Sequence, residues 1–188
     1  MLFNWPNPGR RFVAGHTLAE LLLVLLLTGV LSTLAVTGFA RIHQTIRLRA
    51  AKDAMVTTLH IARAQAIYRR GRIVVCKSDG TAACRQSHEW SDGWIVFHDR
   101  NHNLQPDAED AVLHHEMPQP AGVRIWGNRA VAHYVAFLPS GNALQQSGAA
   151  QLGTLTVCQK AEPPLDGFEI RLRAGARVRW LAISGLRC

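Results

Sequence analysis

Four arginines near the carboxyl end, Arg171, Arg173, Arg177 and Arg179, are spaced so that their chemistry follows from position. All carry odd numbers, and side chains along a β-strand alternate between its two faces. Arg171 and Arg173 therefore share one face of a strand, and Arg177 and Arg179 share one face of the next. Ala174-Gly175-Ala176 supplies the turn between them. A guanidinium offers a planar fork of donors that fits phosphate oxygens. Like charges brought together on a sheet destabilise it unless something acidic neutralises them. That acid is either an external polyanion or a carboxylate of the chain itself: Asp166, Glu169 or the acidic middle segment. Contact with a polyanion would be non-specific, because no recognition helix of familiar type accompanies the arginines.

A second position of chemical interest is Glu20, at the mouth of an apolar run from Leu18 to Ala40. Those 23 residues are enough to cross a hydrocarbon core of about 30 Å. A carboxylate at such a place is costly unless it has a partner or a purpose. The Ser, Thr and Gly of the run are tolerable in a helix whose backbone bonds are internal. A secretory signal has a shorter apolar core with its cleavage site after that core. Here the plausible cleavage point, Gly15, comes before the run, so the apolar helix belongs to the working protein. The short leader, with Arg10 and Arg11, is placed in the cytoplasm, and the remainder of the chain outside a membrane.

Other constellations are weaker. Asp99, Asn101, Asn103, Asp107 and Asp110 resemble the oxygen-ligand spacing of a calcium loop. Leu104 stands where that loop needs glycine and Asp110 where it needs a bidentate glutamate, so a polar surface loop is the better reading. His60, His114 and His115 have no carboxylate or cysteine at metal-ligand spacing and read as helix and strand surface residues. Nucleophile elbows, phosphate loops and dinucleotide fingerprints are missing from the sequence. The chain is expected not to be an enzyme and to need no metal or cofactor.

Composition bounds these readings. The 188 residues carry a formal net charge of +8, which favours an acidic partner such as nucleic acid, anionic lipid or an acidic protein surface. The charge is uneven: Arg41 to Cys76 is basic, Lys77 to Glu116 is acidic, and the chain turns basic again after Met117. Cys76, Cys84, Cys158 and Cys188 all follow the apolar run. An even count in an exported domain reads as two disulfides. Three pairings are possible, and local pairing of Cys76 with Cys84 and of Cys158 with Cys188 is preferred.

The elements that position these residues follow from periodicity. Leu48, Ala51, Met55, Leu59, Ala62 and Ala66 recur at helical spacing and continue the helix of the apolar run. Neither proline nor a turn cluster interrupts residues 16–70, which would form one helix about 80 Å long; a hinge at Gly38 is the alternative. Arg49, Lys52, Asp53, Arg63, Arg69 and Arg70 are read mostly as its polar face. After Gly71 short β-branched or aromatic runs alternate with turn clusters. They are Ile73–Cys76, Trp94–Phe97, Val123–Trp126, Tyr134–Phe137, Leu155–Cys158, Phe168–Arg173 and Arg177–Ile183. The expected fold is α+β, a long amino-terminal helix packed by its second half on an antiparallel sheet. The expected organisation is a leader over 1–15, a membrane half of the helix over 16–40, an amphipathic half over 41–70 and a β-rich domain over 71–188.

Gly15, Thr17, Leu18 and Glu20, ahead of a long apolar helix, resemble the signal of type IV prepilins and pseudopilins. His16 stands where phenylalanine is usual in that signal, and Ala19 where a larger aliphatic is usual. Cys76 to Cys84, Trp90-Ser91-Asp92-Gly93-Trp94-Ile95-Val96-Phe97, Asp99-Arg100-Asn101 and Phe137-Leu138-Pro139-Ser140-Gly141 resemble the FimT/GspH group of minor pilins and pseudopilins. The resemblance covers nearly the whole chain and implies a pilin-like fold. It also implies cleavage after Gly15 by a prepilin peptidase, methylation of the new terminus at His16, and pairing of Glu20 with a neighbouring subunit's terminal amine. Partners would be other pilin subunits, the peptidase and the inner membrane, with the globular part in the periplasm.

Members of the FimT type serve type IV pili and, in some bacteria, DNA uptake for natural transformation. The four arginines resemble a Gly-Arg-x-Arg motif of DNA-binding members, with Gly175 one position earlier than that motif places it. DNA is therefore an expected partner. Priming or capping of a pilus or of a type II secretion pseudopilus is the alternative, and docking of an acidic secreted substrate a third.

Overall fold

The computed structural model describes residues 17–87, 89–161, 165–186 and 188, and only the backbone over 33–38. Gly15 and His16, expected to mark the processing point, lie outside the described residues. The chain divides into two compact units, Met1–Arg41 and Ile42–Cys188.

In the first unit the helix α1, Leu18–Arg69, begins. Thr17 caps it: the Glu20 amide donates to Thr17 Oγ1 at 3.3 Å, and the Leu21 amide to the Thr17 carbonyl at 3.2 Å. Thr-x-x-Glu is the sequence of a capping box, and a carboxylate in the first turn also suits the positive end of the helix dipole. Glu20 thus has a local role that the membrane reading of the sequence passed over. Further along, Thr28 Oγ1 donates to the Val24 carbonyl at 2.9 Å and Ser32 Oγ to that of Thr28 at 2.7 Å. These hydroxyls need no outside partner. Leu21 to Leu27 are exposed, as are Val30 and Leu31. No helix among the described residues is long and apolar enough to cross a membrane, so the span expected over 16–40 is not shown.

The second unit contains the remainder of α1 and eight strands in two antiparallel sheets. One sheet has the order β3-β2-β1-β5, formed by Ala111–Glu116, Trp94–Asp99, Arg72–Lys77 and Tyr134–Phe137. The other has the order β4-β6-β7-β8, formed by Val123–Gly127, Gly153–Gln159, Gly167–Arg173 and Arg177–Ile183. The α+β class expected from the sequence is what the structure shows, with two four-stranded sheets rather than one. Strand β3 was not among the runs read as strands, although His114 and His115 within it were read as strand surface residues. It is an edge strand with a bulge opposite Val96 and Phe97, and it buries too little apolar surface to give a strong alternating signal.

Helix and sheets meet in one core. Leu48, Ala51, Met55, Leu59, Ala62 and Ala66, the stripe read from spacing, are all at most 1 % exposed. They pack with Ile73, Val75 and Phe137 of the first sheet and with Ile125, Val157 and Ile170 of the second. The two buried indole donors are satisfied: Trp94 Nε1 donates to Thr58 Oγ1 at 3.1 Å, and Trp90 Nε1 to the Val131 carbonyl at 3.0 Å. A smaller cluster on the other face of the first sheet joins Val74, Cys76, Ile95, Phe97 and Ala136 under Leu104. Two disulfides fasten this unit, Cys76 to Cys84 and Cys158 to Cys188, with Cα atoms 5.6 and 5.7 Å apart.

Candidate nucleic-acid interface

Strands β7 and β8 form the hairpin that carries the arginines. In its register Arg171 lies opposite Arg179 and Arg173 opposite Arg177. Directly opposed residues of an antiparallel pair project to the same side. All four guanidiniums therefore stand on one face, the face away from the core. The alternate residues Phe168, Ile170 and Leu172 are buried, and Val178 packs against the core from β8. The alternation that keeps this strand pair on the core is thus what presents the charges to water.

Ala174-Gly175-Ala176 closes the hairpin in a short 3-10 turn. Gly175 has φ of 72° and Ala176 of 50°, both left-handed. That conformation costs a residue with a Cβ roughly 1–2 kcal/mol. Ala176 is 2 % exposed, and burying its methyl returns about 0.8 kcal/mol. Burial thus offsets part of the cost of placing alanine where the motif it resembles has glycine.

The four charges are not equivalent. Arg171 is held by Glu169 on the same strand, through Nε at 2.8 Å and Nη2 at 2.5 Å. Arg177 Nε reaches only the Ala174 carbonyl, at 3.4 Å. Arg173, Arg177 and Arg179 are exposed and have no acidic partner among the described residues. Internal neutralisation, weighed from the sequence, thus covers one arginine of the four.

The acidic middle segment is engaged elsewhere. Glu89 is held by Arg124, whose guanidinium hydrogen bond keeps the carboxyl below the usual carboxylate range. Asp79 takes the Thr81 hydroxyl at 2.5 Å and Arg85 at 3.0 Å; the Thr81 bond is the main reason its carboxyl is also held low. Asp99, fully buried, accepts from the amides of Asn103 and Leu104 and lies 3.8 Å from Arg72. Asp107 accepts from the Glu109 amide, the chief cause of its lowered carboxyl, and from Asn103. Asp110 accepts from the amides of Arg100 and Asp107. The calcium-like spacing therefore folds as a loop whose carboxylates are spent on its own amides. His114 faces Glu116 at 3.1 Å on strand β3, and His115 is exposed beside it.

Two features escaped the sequence. Lys52, read as polar face, is 6 % exposed. Its ammonium pairs with Asp53 and lies 3.9 Å from the centre of the Trp180 ring. It is also 5.4 Å from the ring centre of Phe168. The flexible lysine stem lets the residue cross from one helix face to the next element. The second feature is an open groove of about 460 Å³ between α1 and β8. The helix supplies Val56, His60 and Arg63, and the strand supplies Arg177 to Trp180. His60 and Arg63 stand three apart on the helix, and nothing local in the sequence pointed to the partner strand more than a hundred residues on.

The protein-family profile described as type II transport protein GspH matches residues 51–179. Among solved structures, the type IV minor pilin FimU of Pseudomonas aeruginosa PAO1, in its P21 crystal form, is similar with a TM-score of 0.53 and 17 % identity, over 70 % of this chain and 86 % of that one. Its P65 crystal form gives 0.52 and 15 %, over 71 % and 92 %. The minor pseudopilin EpsH of the Vibrio cholerae type 2 secretion system gives 0.49 and 11 %, over 72 % and 97 %. A search of curated protein sequences finds no match.

Proposed function

The chain belongs to the GspH family, and from that premise we propose that it is a minor pilin of a type IV pilus that binds DNA non-specifically through its arginine hairpin during DNA uptake. Membership makes it a structural subunit of the minor pilin or pseudopilin kind, assembled with other pilin subunits, and not an enzyme. The observation that carries the DNA reading is the register that puts Arg171, Arg173, Arg177 and Arg179 on one outward face, where Glu169 is the one carboxylate paired with them among the described residues.

The same reading covers the amino-terminal end. Prepilin peptidase cuts after Gly15, the new terminus at His16 is methylated, and the helix over 16–40 holds the subunit in the inner membrane before assembly. Its support is the prepilin-like sequence at Gly15 to Glu20 and the row of exposed leucines from Leu21 to Leu27. In that setting Glu20 meets a neighbour's terminal amine in addition to its place in the first helical turn. The family's description as type II transport favours a second reading, a priming or capping pseudopilin that binds no nucleic acid.

A salt titration of duplex binding separates the two. Each phosphate neutralised contributes about −0.9 to the slope of log affinity against log salt. Arg177→Ala with Arg179→Ala is expected to flatten that slope by about two units and to leave the circular dichroism unchanged. Unchanged binding in the double variant discards the DNA reading and leaves the priming or capping role.

A further inference from the structure

We propose that the groove between α1 and β8 seats an unpaired base of the captured DNA, stacked on Trp180, with Arg63, Arg177 and Arg179 on the flanking phosphates. The proposal rests on the reading of the hairpin as a DNA-contacting surface and names the form of DNA that the adjoining groove takes. Its first support is the composition of the groove, which is lined by three arginines, a histidine and a tryptophan and by no acidic residue. Cationic walls beside an aromatic face are what proteins use to hold single strands, because every base has a π face and every link a phosphate.

The second support is Trp180. It is 50 % exposed, a large apolar area left in water at the edge of a sheet. It is also fixed in place. Phe168 meets it edge-on, with ring centres 5.7 Å apart and planes at 82°, and the Lys52 ammonium sits 3.9 Å from the ring centre. A ring held this way loses little freedom when a flat partner stacks on it. Arg63 is steadied in the same manner, its Nε donating to the Gly141 carbonyl at 2.9 Å while the groove remains open to the rest of the fork.

A duplex cannot use this seat, because its base faces are covered by their neighbours. Continuous duplex contacts the outward arginines through its phosphates alone. A frayed end or a single strand offers phosphates and a free base together, and so engages both the hairpin and the groove.

The test uses the full chain in detergent and fluorescence anisotropy with labelled oligothymidylate and labelled duplex, each of about 20 nucleotides per strand. Trp180→Leu is expected to weaken oligothymidylate binding by about 5- to 100-fold and to leave duplex affinity within about twofold. Trp180→Phe, which keeps an aromatic face, is expected to recover most of the loss. Equal losses on both DNAs, or none on the single strand, overturn the proposal. Bromodeoxyuridine crosslinking of the unaltered protein gives a second measurement that does not depend on a variant's folding. Crosslinks to the peptide containing Trp180 support the groove, and crosslinks confined to other peptides overturn it. If Arg177→Ala with Arg179→Ala leaves both DNAs bound as before, the hairpin reading itself fails. If duplex binding falls but the single strand is indifferent to Trp180, only the groove proposal fails.

Discussion

Glu169 sets how much of the arginine face is available. Its carboxylate lies within 2.8 Å of Arg171 Nε, while the three other guanidiniums have no carboxylate partner among the described residues. Replacing it with glutamine removes the internal competitor and leaves the strand and its register in place. On the DNA-binding reading, Glu169→Gln is expected to raise duplex affinity and to steepen the salt slope by up to about 0.9, one phosphate contact's worth. An affinity that falls or holds constant across salt would count against Arg171 as a contact. Gln151 is the opposite kind of residue, buried and fully used. Its Oε1 accepts from the Ala136 amide at 3.0 Å, and its Nε2 donates to the carbonyls of Ala130 and Tyr134 at 2.9 and 2.8 Å. With the segment Asn142 to Leu144, whose Leu144 amide donates to the Ala136 carbonyl at 3.1 Å, it covers the outer edge of β5. Gln151→Leu orphans a buried amide and two carbonyls, and is expected to cost about 2–4 kcal/mol in urea unfolding.

The elements bear out one of these lessons on a larger scale: a short period read along the chain says which face is buried, and not what covers it. The stripe from Leu48 to Ala66 was legible because helical spacing is local, and the odd numbering of the arginines was legible for the same reason in a strand. Neither told that the chain makes two sheets or that β8 ends as an edge strand beside the helix. The disulfides hold such edges. Cys158 and Cys188 are separated by 30 positions, a span that includes β7 and β8, whereas Cys76 and Cys84 are separated by only 8. Loop-closure entropy then gives about 3.5 kcal/mol for the longer link and about 2.5 kcal/mol for the shorter. The serine pair at 158 and 188 is expected to lower unfolding stability more than the pair at 76 and 84. The arginine hairpin should stay on the core in both, because its inner face is buried independently of the link. Chemical denaturation of the two double variants, with duplex binding measured beside it, checks both statements.

At the scale of the molecule the two units differ in what they bury. Every described residue of the main core lies at Leu48 or beyond, and both disulfides fall in Ile42–Cys188. Residues 42–188 alone are therefore expected to unfold cooperatively and to bind duplex with the affinity of the full chain. Loss of the cooperative transition on removing 1–41 would show that the amino-terminal unit contributes to the core. The formal charge of +8 brings polyanions near the whole surface, and the hairpin face concentrates four of its arginines in fixed geometry.

Local spacing and residue type were enough to read the α+β class, the buried helix stripe, the pairing of neighbours on each strand face and the kinship with pilins. Each of those depends on periods of two to four residues or on short contiguous motifs. The partition into two sheets, the commitment of the acidic segment to its own loops and the burial of Lys52 under Trp180 depend on contacts between residues far apart in the chain. So does the fact that three arginines face water with no carboxylate partner among the described residues. Whether a charge is neutralised is a matter of which side chains the fold brings within a few ångströms, and for the hairpin that was settled by strand register and by the places where Glu89, Asp99 and Asp107 found nearer partners.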